Sequence, residues 1–505
     1  MRKYEPIRRH DDAEEEKEEN KLRVRQLCIG VEDDVEMAVH ARSTTGIPDA
    51  GGAFSKIEEE GPKQKQHQLQ QHHHPKQRLV SLDVFRGITV AVVFPSPNVF
   101  SPLFNYDVPQ LRQGASPAFN MLTWLYLMIL VDDAGGLLPA LNHSPWNGLT
   151  VADLVMPFFL FIVGISLALT YKKVSCRADA TRKAILRALK LLILGLFLQG
   201  GFFHGLNNLT YGVDIDHIRW MGILQRIAIA YLLAALCEIW LKGDDNVNSG
   251  SSLLCKYRFQ WALALMLTTV YLCLLYGLYV PDWEYQIPTE SSSTQKLFSV
   301  KCGIRGDTGP GCNAVGMIDR KILGIQHLYR RATYARTQEC SINSPDHGPL
   351  PSDAPLWCQA PFDPEGLLSS VMAIVTCLVG LHYGHIIVHC KDHRGRILRW
   401  MVTTSCLLVL GLALDFCGMH FNKVLYTFSY MCFTAGVAGG LLAGIYLMVD
   451  VWGYKRPTVV MEWMGMNALM IYILAACNVL PVILQGFYWK QPQNNMVIFS
   501  VLSPV

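Results

Sequence analysis

Apolar runs of about twenty residues constrain this chain more than any other feature of its sequence. A hydrocarbon core roughly 30 Å thick takes about 20 helical residues to cross. Runs of that length fall at 150–170, 184–204, 220–241, 260–280, 366–388, 397–417, 424–451 and 459–484. One more span is expected between Ser81 and Val131. Inside lipid the backbone has no water to bond with, so a span must be a helix or part of a closed barrel, and runs this long fit helices. The sequence thus predicts an all-α, polytopic transmembrane helix bundle of nine or so spans.

Charge supports the same reading. Only 17% of the 505 residues are charged and 51% are hydrophobic, where soluble domains carry about 25% charged residues. The deficit is uneven: residues 1–78 are dense in Glu, Lys, Gln and His and are expected to be a disordered cytosolic tail. His72, His73 and His74 form a run that could bind metal, but no Cys or carboxylate is placed to complete a site, and no metal is expected. A net charge of +3 without a basic, aromatic-interleaved stripe argues against nucleic acid as a partner. The tail has no apolar h-region of a signal peptide, so the first span must direct insertion into lipid.

Orientation follows from where Lys and Arg flank the spans. Lys172, Lys173, Arg177, Arg182, Lys183, Arg187 and Lys190 crowd one connection; Lys391, Arg394, Arg396 and Arg399 another; Lys455 and Arg456 a third. The stretch 132–149, on the opposite side, has neither Lys nor Arg. The expectation is a cytosolic N-terminus with His143 on the lumenal side of an endomembrane. Asn208-Leu-Thr210 is then a glycosylation sequon in a lumenal loop. The long lumenal connection 281–365 holds Cys302, Cys312, Cys340 and Cys358, which suggests two disulfides with the pairing open.

The chemistry-bearing stretch is 131–153, where Asp132, Asp133, His143, Trp146 and Asn147 lie between two apolar runs. Ionisable groups at a membrane boundary are costly and usually mark a function. A neutral imidazole near pH 7 can serve as a base or a nucleophile, and His143 is the only His of the stretch. Asp132 or Asp133 could orient it, and Trp146 and Asn147 could hold a substrate. Asp83 and Arg86, one turn apart, either neutralise each other or free Arg86 for the phosphates of a nucleotide cofactor. Gln225, Arg226, Glu462 and Asn467 place polar groups within spans, as a transporter or a membrane enzyme would.

The motifs Ser81-Leu-Asp-Val-Phe-Arg-Gly87, Asn142-His-Ser-Pro-Trp-Asn-Gly-Leu-Thr-Val-Ala-Asp153, Ile223-Leu-Gln-Arg-Ile227, Gly316-Met-Ile-Asp-Arg320, Asp363-Pro-Glu-Gly366 and Gly465-Met-Asn467 resemble the heparan-α-glucosaminide N-acetyltransferase family, in its plant-like wording. They cover roughly residues 79–495 in the family's order. The resemblance implies about ten spans in an intact member. It also implies transfer of an acetyl group from cytosolic acetyl-CoA, as co-substrate, to the amine of a lumenal, glucosamine-like amino sugar. His143 matches the family's active-site histidine, as base or acetyl carrier, while Asp132 stands where animal members carry Asn. A lysosomal or vacuolar membrane and a glycosylated, multi-pass chain follow, with membrane lipid and the amino-sugar acceptor as partners and room for a homo-oligomer. The alternative is a transporter or a catalytically inactive membrane protein on the same scaffold.

Three departures from the family qualify this. Residues 93–127, with Pro95, Pro97, Pro102, Pro109 and Pro117, interrupt the first span and read as an insertion. The chain stops at Val505, where the family continues with a further span, and it has a tail in place of the lumenal N-terminal domain of animal members.

Overall fold

The computed structural model describes residues 79–92, 143–174, 176–199, 218–243, 250–287, 296–329, 333–345, 348–454 and 458–476. The tail 1–78, the expected insertion 93–127, Asp132, Asp133 and the sequon at Asn208 lie outside these. The chain divides into two compact units: residues 1–78 with Val174–Ala178, and the remainder. The architecture below is that of the second.

Its elements run in the order α1 (Val80–Val92), a 3₁₀ turn (Val151–Leu154) leading into α2 (Val155–Thr170), α3 (Arg177–Gln199), α4 (Ile223–Trp240), α5 (Gly250–Lys256) and α6 (Arg258–Gly277). Four short strands follow: β1 (Tyr279–Val280), β2 (Trp283–Ile287), β3 (Lys296–Val300) and β4 (Ile304–Arg305). Then come α7 (Ala314–Ile322), α8 (Leu367–His389), α9 (His393–Phe416), α10 (Phe428–Tyr446), α11 (Val459–Met466) and α12 (Ala468–Ala476). The chain is therefore a helical membrane protein. Among the described residues six helices are long and apolar enough to cross a membrane: Val151–Thr170, Ile223–Trp240, Arg258–Gly277, Leu367–His389, His393–Phe416 and Phe428–Val451.

Two expected spans look different. The run at 184–204 begins earlier, as α3, which carries Arg177, Arg182, Lys183, Arg187 and Lys190 before its apolar end. Its described part is too charged to count among the six. The run at 459–484 is interrupted at Asn467, whose side-chain amide donates to the Trp463 carbonyl, so α11 ends after eight residues; residues 477–484 lie outside the described residues.

Helix α8 is the centre of the bundle, with α2, α4 and α6 packed on it. Its membrane window is 83% buried, against 28% for α6 and 17% for α9, which present apolar side chains outward as lipid-facing helices do. Within lipid, helices gain by close van der Waals packing, and small residues permit it. A Cβ at Gly380 would sit 2.1 Å from the Phe161 carbonyl oxygen, and one at Gly164 equally close to that of Cys377. Gly380 and Gly384, spaced G-x-x-x-G, thus let α2 lie directly on α8. Gly87 of α1 and Gly465 of α11 do the same for that pair, each Cβ falling under 2 Å from the opposite backbone.

The connection between α6 and α8 is folded. β1 pairs antiparallel with β4, and β2 with β3 from Trp283↔Val300 to Ile287↔Lys296. Disulfides join Cys302 to Cys312 and Cys340 to Cys358. Tyr285, Val300 and Ala360 form its small core.

Replacing Gly380 by Leu should force α2 and α8 apart and destabilise the bundle by about 1–3 kcal/mol or more. Gly444→Ala, where an added Cβ meets nothing within 4 Å, should be neutral or slightly stabilising. Thermal unfolding of the detergent-solubilised variants measures both.

Candidate active site

The first turn of α2 explains why the segment before it folds back. Thr150 and Asp153 form a capping box: the N3 carboxylate accepts from the Thr150 amide at 3.2 Å and from its hydroxyl at 2.9 Å. The same oxygen, Oδ2, also accepts from the Ser144 amide at 3.1 Å and the Ser144 hydroxyl at 3.0 Å. Asp153 is fully buried, so this shell of donors is what keeps an ionised carboxylate tolerable there.

Its other oxygen, Oδ1, meets His143 Nδ1 at 2.7 Å and Lys423 Nζ at 3.3 Å. Lys423 Nζ is also 3.0 Å from His143 Nδ1. Arg336 donates to the His143 carbonyl at 2.9 Å. The imidazole thus sits in a fixed pose at the mouth of the bundle, with 46% of its side chain exposed. Partial burial and the neighbouring Lys423 ammonium oppose the imidazolium; the Asp153 carboxylate favours it. The balance puts the His143 pKa below its ordinary value of 6.5, so the ring is neutral at pH 7.

Further bonds hold the loop. Asn147 forms an antiparallel bridge with Asn422, whose side-chain amide donates to the Asn147 side-chain oxygen at 3.2 Å. The Gly148 amide donates to the Phe421 carbonyl at 2.9 Å. Gly148 has φ 115°, a left-handed conformation that disfavours any side chain. Trp146 is buried, donates to the Thr308 carbonyl at 3.1 Å, and packs edge-on against Tyr334 and Phe362.

The N-terminal ends of α2, α4, α8 and α10 converge here. The Tyr430 hydroxyl of α10 donates to the Asp153 carbonyl at 2.5 Å. Arg226 of α4 donates to the Pro364 carbonyl at 2.9 Å and to Ser369, at the start of α8, and its guanidinium lies over the Tyr426 ring. Tyr426 has φ 55°, a strained conformation for a bulky residue that marks functional sites. Arg219 forms ion pairs with Asp363 and Glu365. Positive dipole ends gathered in one place favour carboxylates such as Asp153 and Glu365.

Of the residues expected from sequence, His143 stands at this site and Asn147 in its supporting loop. Asp132 and Asp133 lie outside the described residues, and the carboxylate on His143 Nδ1 is Asp153. Trp146 is buried, with its indole packed in the aromatic cluster of Tyr334 and Phe362. Arg86 donates to Asp83 at 2.9 Å and to Ser166 of α2, thirteen residues beyond Asp153 and roughly 20 Å along the helix from the site. Asp153, Lys423 and Arg336 join the site without standing among the residues expected from sequence. The Thr150–Asp153 capping-box spacing could have pointed to the first; nothing local marks the others.

Residues 115–276, which include His143, Asp153, Arg219 and Arg226, match the family model described as heparan-alpha-glucosaminide N-acetyltransferase, catalytic. The likeness seen in the motifs is therefore borne out. A mouse heparan-alpha-glucosaminide N-acetyltransferase is 30% identical over 405 residues, 75% of this chain and 56% of its own length. The human protein of the same name is 29% identical over 395 residues, 74% of this chain and 53% of its own. The chain spans about half the length of these curated relatives. Lys423 and Arg336 fall beyond the stretch matched by the family model.

Asp319 of α7 belongs to the polar surround. It is fully buried, its Oδ1 accepts from the Leu367 amide at 2.8 Å, and its Oδ2 has no hydrogen-bond partner among the described residues. Burial, against the pull of that amide, raises its pKa from 3.8 to about 7. A raised carboxyl pKa contributes stability fully present below about 3.8 and lost as pH rises through about 7. Asp319→Asn keeps an acceptor for Leu367 without the charge. Its melting temperature should exceed wild type at pH 8, with the difference shrinking toward pH 5; thermal melts across that range provide the check.

Proposed function

We propose that this chain is a membrane-embedded acetyltransferase that moves an acetyl group from acetyl-CoA to the amine of a glucosamine-like amino sugar, with His143 at the reacting centre. The observation that carries this is the Asp153–His143 pair, held at the mouth of a bundle whose catalytic-domain match includes both residues. An Asp–His pair presents a neutral imidazole with one nitrogen anchored and the other turned to chemistry.

The transfer breaks the thioester C–S bond and forms an amide C–N bond; the amine loses a proton and the departing sulfur leaves as the thiol. Nε2 of His143 serves either by taking the amine proton during attack or by carrying the acetyl group between the two partners. Both uses need the same electron pair and the same anchor, Asp153. The four converging helix N-termini supply positive potential where negative charge builds on the acetyl oxygen.

In this reading the ends of α2 and α8 face the cytosol and His143 faces the lumen of a lysosomal or vacuolar membrane, an orientation that the basic connections after those helices support. Acetyl-CoA would then approach from the cytosolic side and the amino sugar from the lumen. The candidate sequon at Asn208 agrees with that orientation, and Asp132 and Asp133 stand as further candidates to hold the acceptor amine.

One observation favours a second reading, a transporter on this scaffold. Buried where the end of α4, the start of α6 and the end of α8 meet, His385 Nε2 meets Glu238 at 2.7 Å, Gln260 donates to the same carboxylate at 3.0 Å, and Tyr257 stacks on His385. Buried carboxylate–imidazole pairs of this kind occur in proton-coupled carriers.

The test uses membranes containing the full chain, labelled acetyl-CoA and a glucosamine acceptor. Label should reach the acceptor, His143→Ala should abolish transfer, and Asp153→Asn should lower it about 10²–10⁴-fold, the span attributed to general acid–base catalysis. Transfer that persists with His143→Ala would remove His143 from the chemistry. No transfer, together with substrate accumulation that Glu238→Gln abolishes, would favour the transporter.

A further inference from the structure

Resting on the acetyltransferase reading, a further role can be assigned at the same site, to Lys423. Nδ1 of an imidazole carries either one proton or one in-plane electron pair. In this structure two groups approach it: Asp153 Oδ1 at 2.7 Å, which can only accept, and the Lys423 ammonium at 3.0 Å, which can only donate. Both cannot be satisfied at that atom. They can be satisfied through each other, because Lys423 Nζ is also 3.3 Å from Asp153 Oδ1. Oδ2 is already occupied by the amides and hydroxyls of Ser144 and Thr150. Oδ1 thus has its two acceptor directions left, one for the ring N–H and one for the ammonium.

We propose that Lys423 is the positioning residue of the pair: its ammonium on Oδ1 keeps the Asp153 carboxylate ionised and in place as the acceptor of the His143 Nδ1–H, so that Nε2 carries the electron pair. Its charge does a second thing. An ammonium 3.0 Å from the ring opposes a second proton on it, so His143 keeps its electron pair at pH values where an ordinary histidine would be protonated. For a site facing an acidic lumen this decides whether the base works at all. Among the described residues, charged groups facing His143 include Asp153 from the turn before α2, Lys423 from the segment before α10, and Arg336 from the turn 333–336, whose guanidinium binds the His143 carbonyl. Lys423 is held in turn by its neighbours. Asn422 is bridged to Asn147, and the strained Tyr426 amide closes a turn onto the Lys423 carbonyl at 3.2 Å.

The experiment reads the state of His143 without needing transfer. The full-length chain in detergent is treated with diethyl pyrocarbonate, which acylates neutral imidazole. The His143 peptide is then followed by mass spectrometry from pH 5 to 8 in wild type, Lys423→Met and Lys423→Arg. The expected wild-type midpoint lies below 6.5; Lys423→Met should raise it by about one pH unit, and Lys423→Arg should leave it near wild type. In transfer assays the acid limb of kcat/KM should move by the same amount, which a merely structural role would not produce. A folded Lys423→Met chain, judged by its thermal melt, whose midpoint matches wild type would overturn the proposal. Should Met prevent folding, Lys423→Gln takes its place with the same expected shift. Because the modification midpoint is independent of acetyl transfer, an inactive chain with the expected shift would sink the enzyme reading and leave this one standing.

Discussion

A single buried carboxylate organises this end of the molecule. Asp153 has no exposed surface, and an ionised group in that position is tolerable only if its lone pairs are fully used. The amides and hydroxyls of Ser144 and Thr150, with His143 and Lys423, supply the partners. Each of these bonds also fixes a piece of chain: the start of α2, the loop carrying the imidazole, and the segment entering α10. The requirement to satisfy one charge therefore produces the pose of His143.

That carboxylate can be placed only because the helices beneath it are set closely. Gly164 and Gly380 allow α2 to touch α8 backbone to backbone, and Gly87 and Gly465 allow the same for α1 and α11. With α8 fixed at the centre, the N-terminal ends of α2, α4, α8 and α10 meet at one end of the bundle. Arg226 links three of them, bonding to the start of α8 and lying over Tyr426 before α10. Their summed dipoles favour the carboxylates gathered there and disfavour an imidazolium. Packing of small residues inside the membrane and the electrostatics of the site are two consequences of one helix arrangement.

Much of this was legible in the sequence, for identifiable reasons. Span length and apolar content locate α2, α4, α6, α8, α9 and α10 closely, because lipid forces a uniform pattern on each. The pattern weakens where a run is mixed. The basic first half of α3 and the break at Asn467 between α11 and α12 each reflect polar groups that a count of apolar residues averages away. His143 stood out as the only histidine of a polar stretch between spans. Its partner did not, because Asp153 falls inside the apolar run 150–170, whereas Asp132 and Asp133 lie in the polar stretch between runs. The loop folds forward onto the helix it precedes, ten residues on, and Thr150-Val-Ala-Asp153 is the local signature of that turn. Trp146 illustrates the converse: an aromatic in a candidate site that is spent on packing against Tyr334 and Phe362. Lys423 and Arg336 reach His143 across 280 and 193 residues, and no spacing rule connects positions so far apart.

The dependence of the whole site on Asp153 is open to a direct measurement, hydrogen–deuterium exchange of the peptide spanning 143–153 in wild type and in Asp153→Ala. The Ser144 and Thr150 amides donate to that carboxylate. Their protection should therefore be lost in the variant, while peptides from the centre of α8 exchange as slowly as before. Unchanged protection at Ser144 and Thr150 in a folded Asp153→Ala chain would contradict the account, since the loop would then be held by something other than the buried charge.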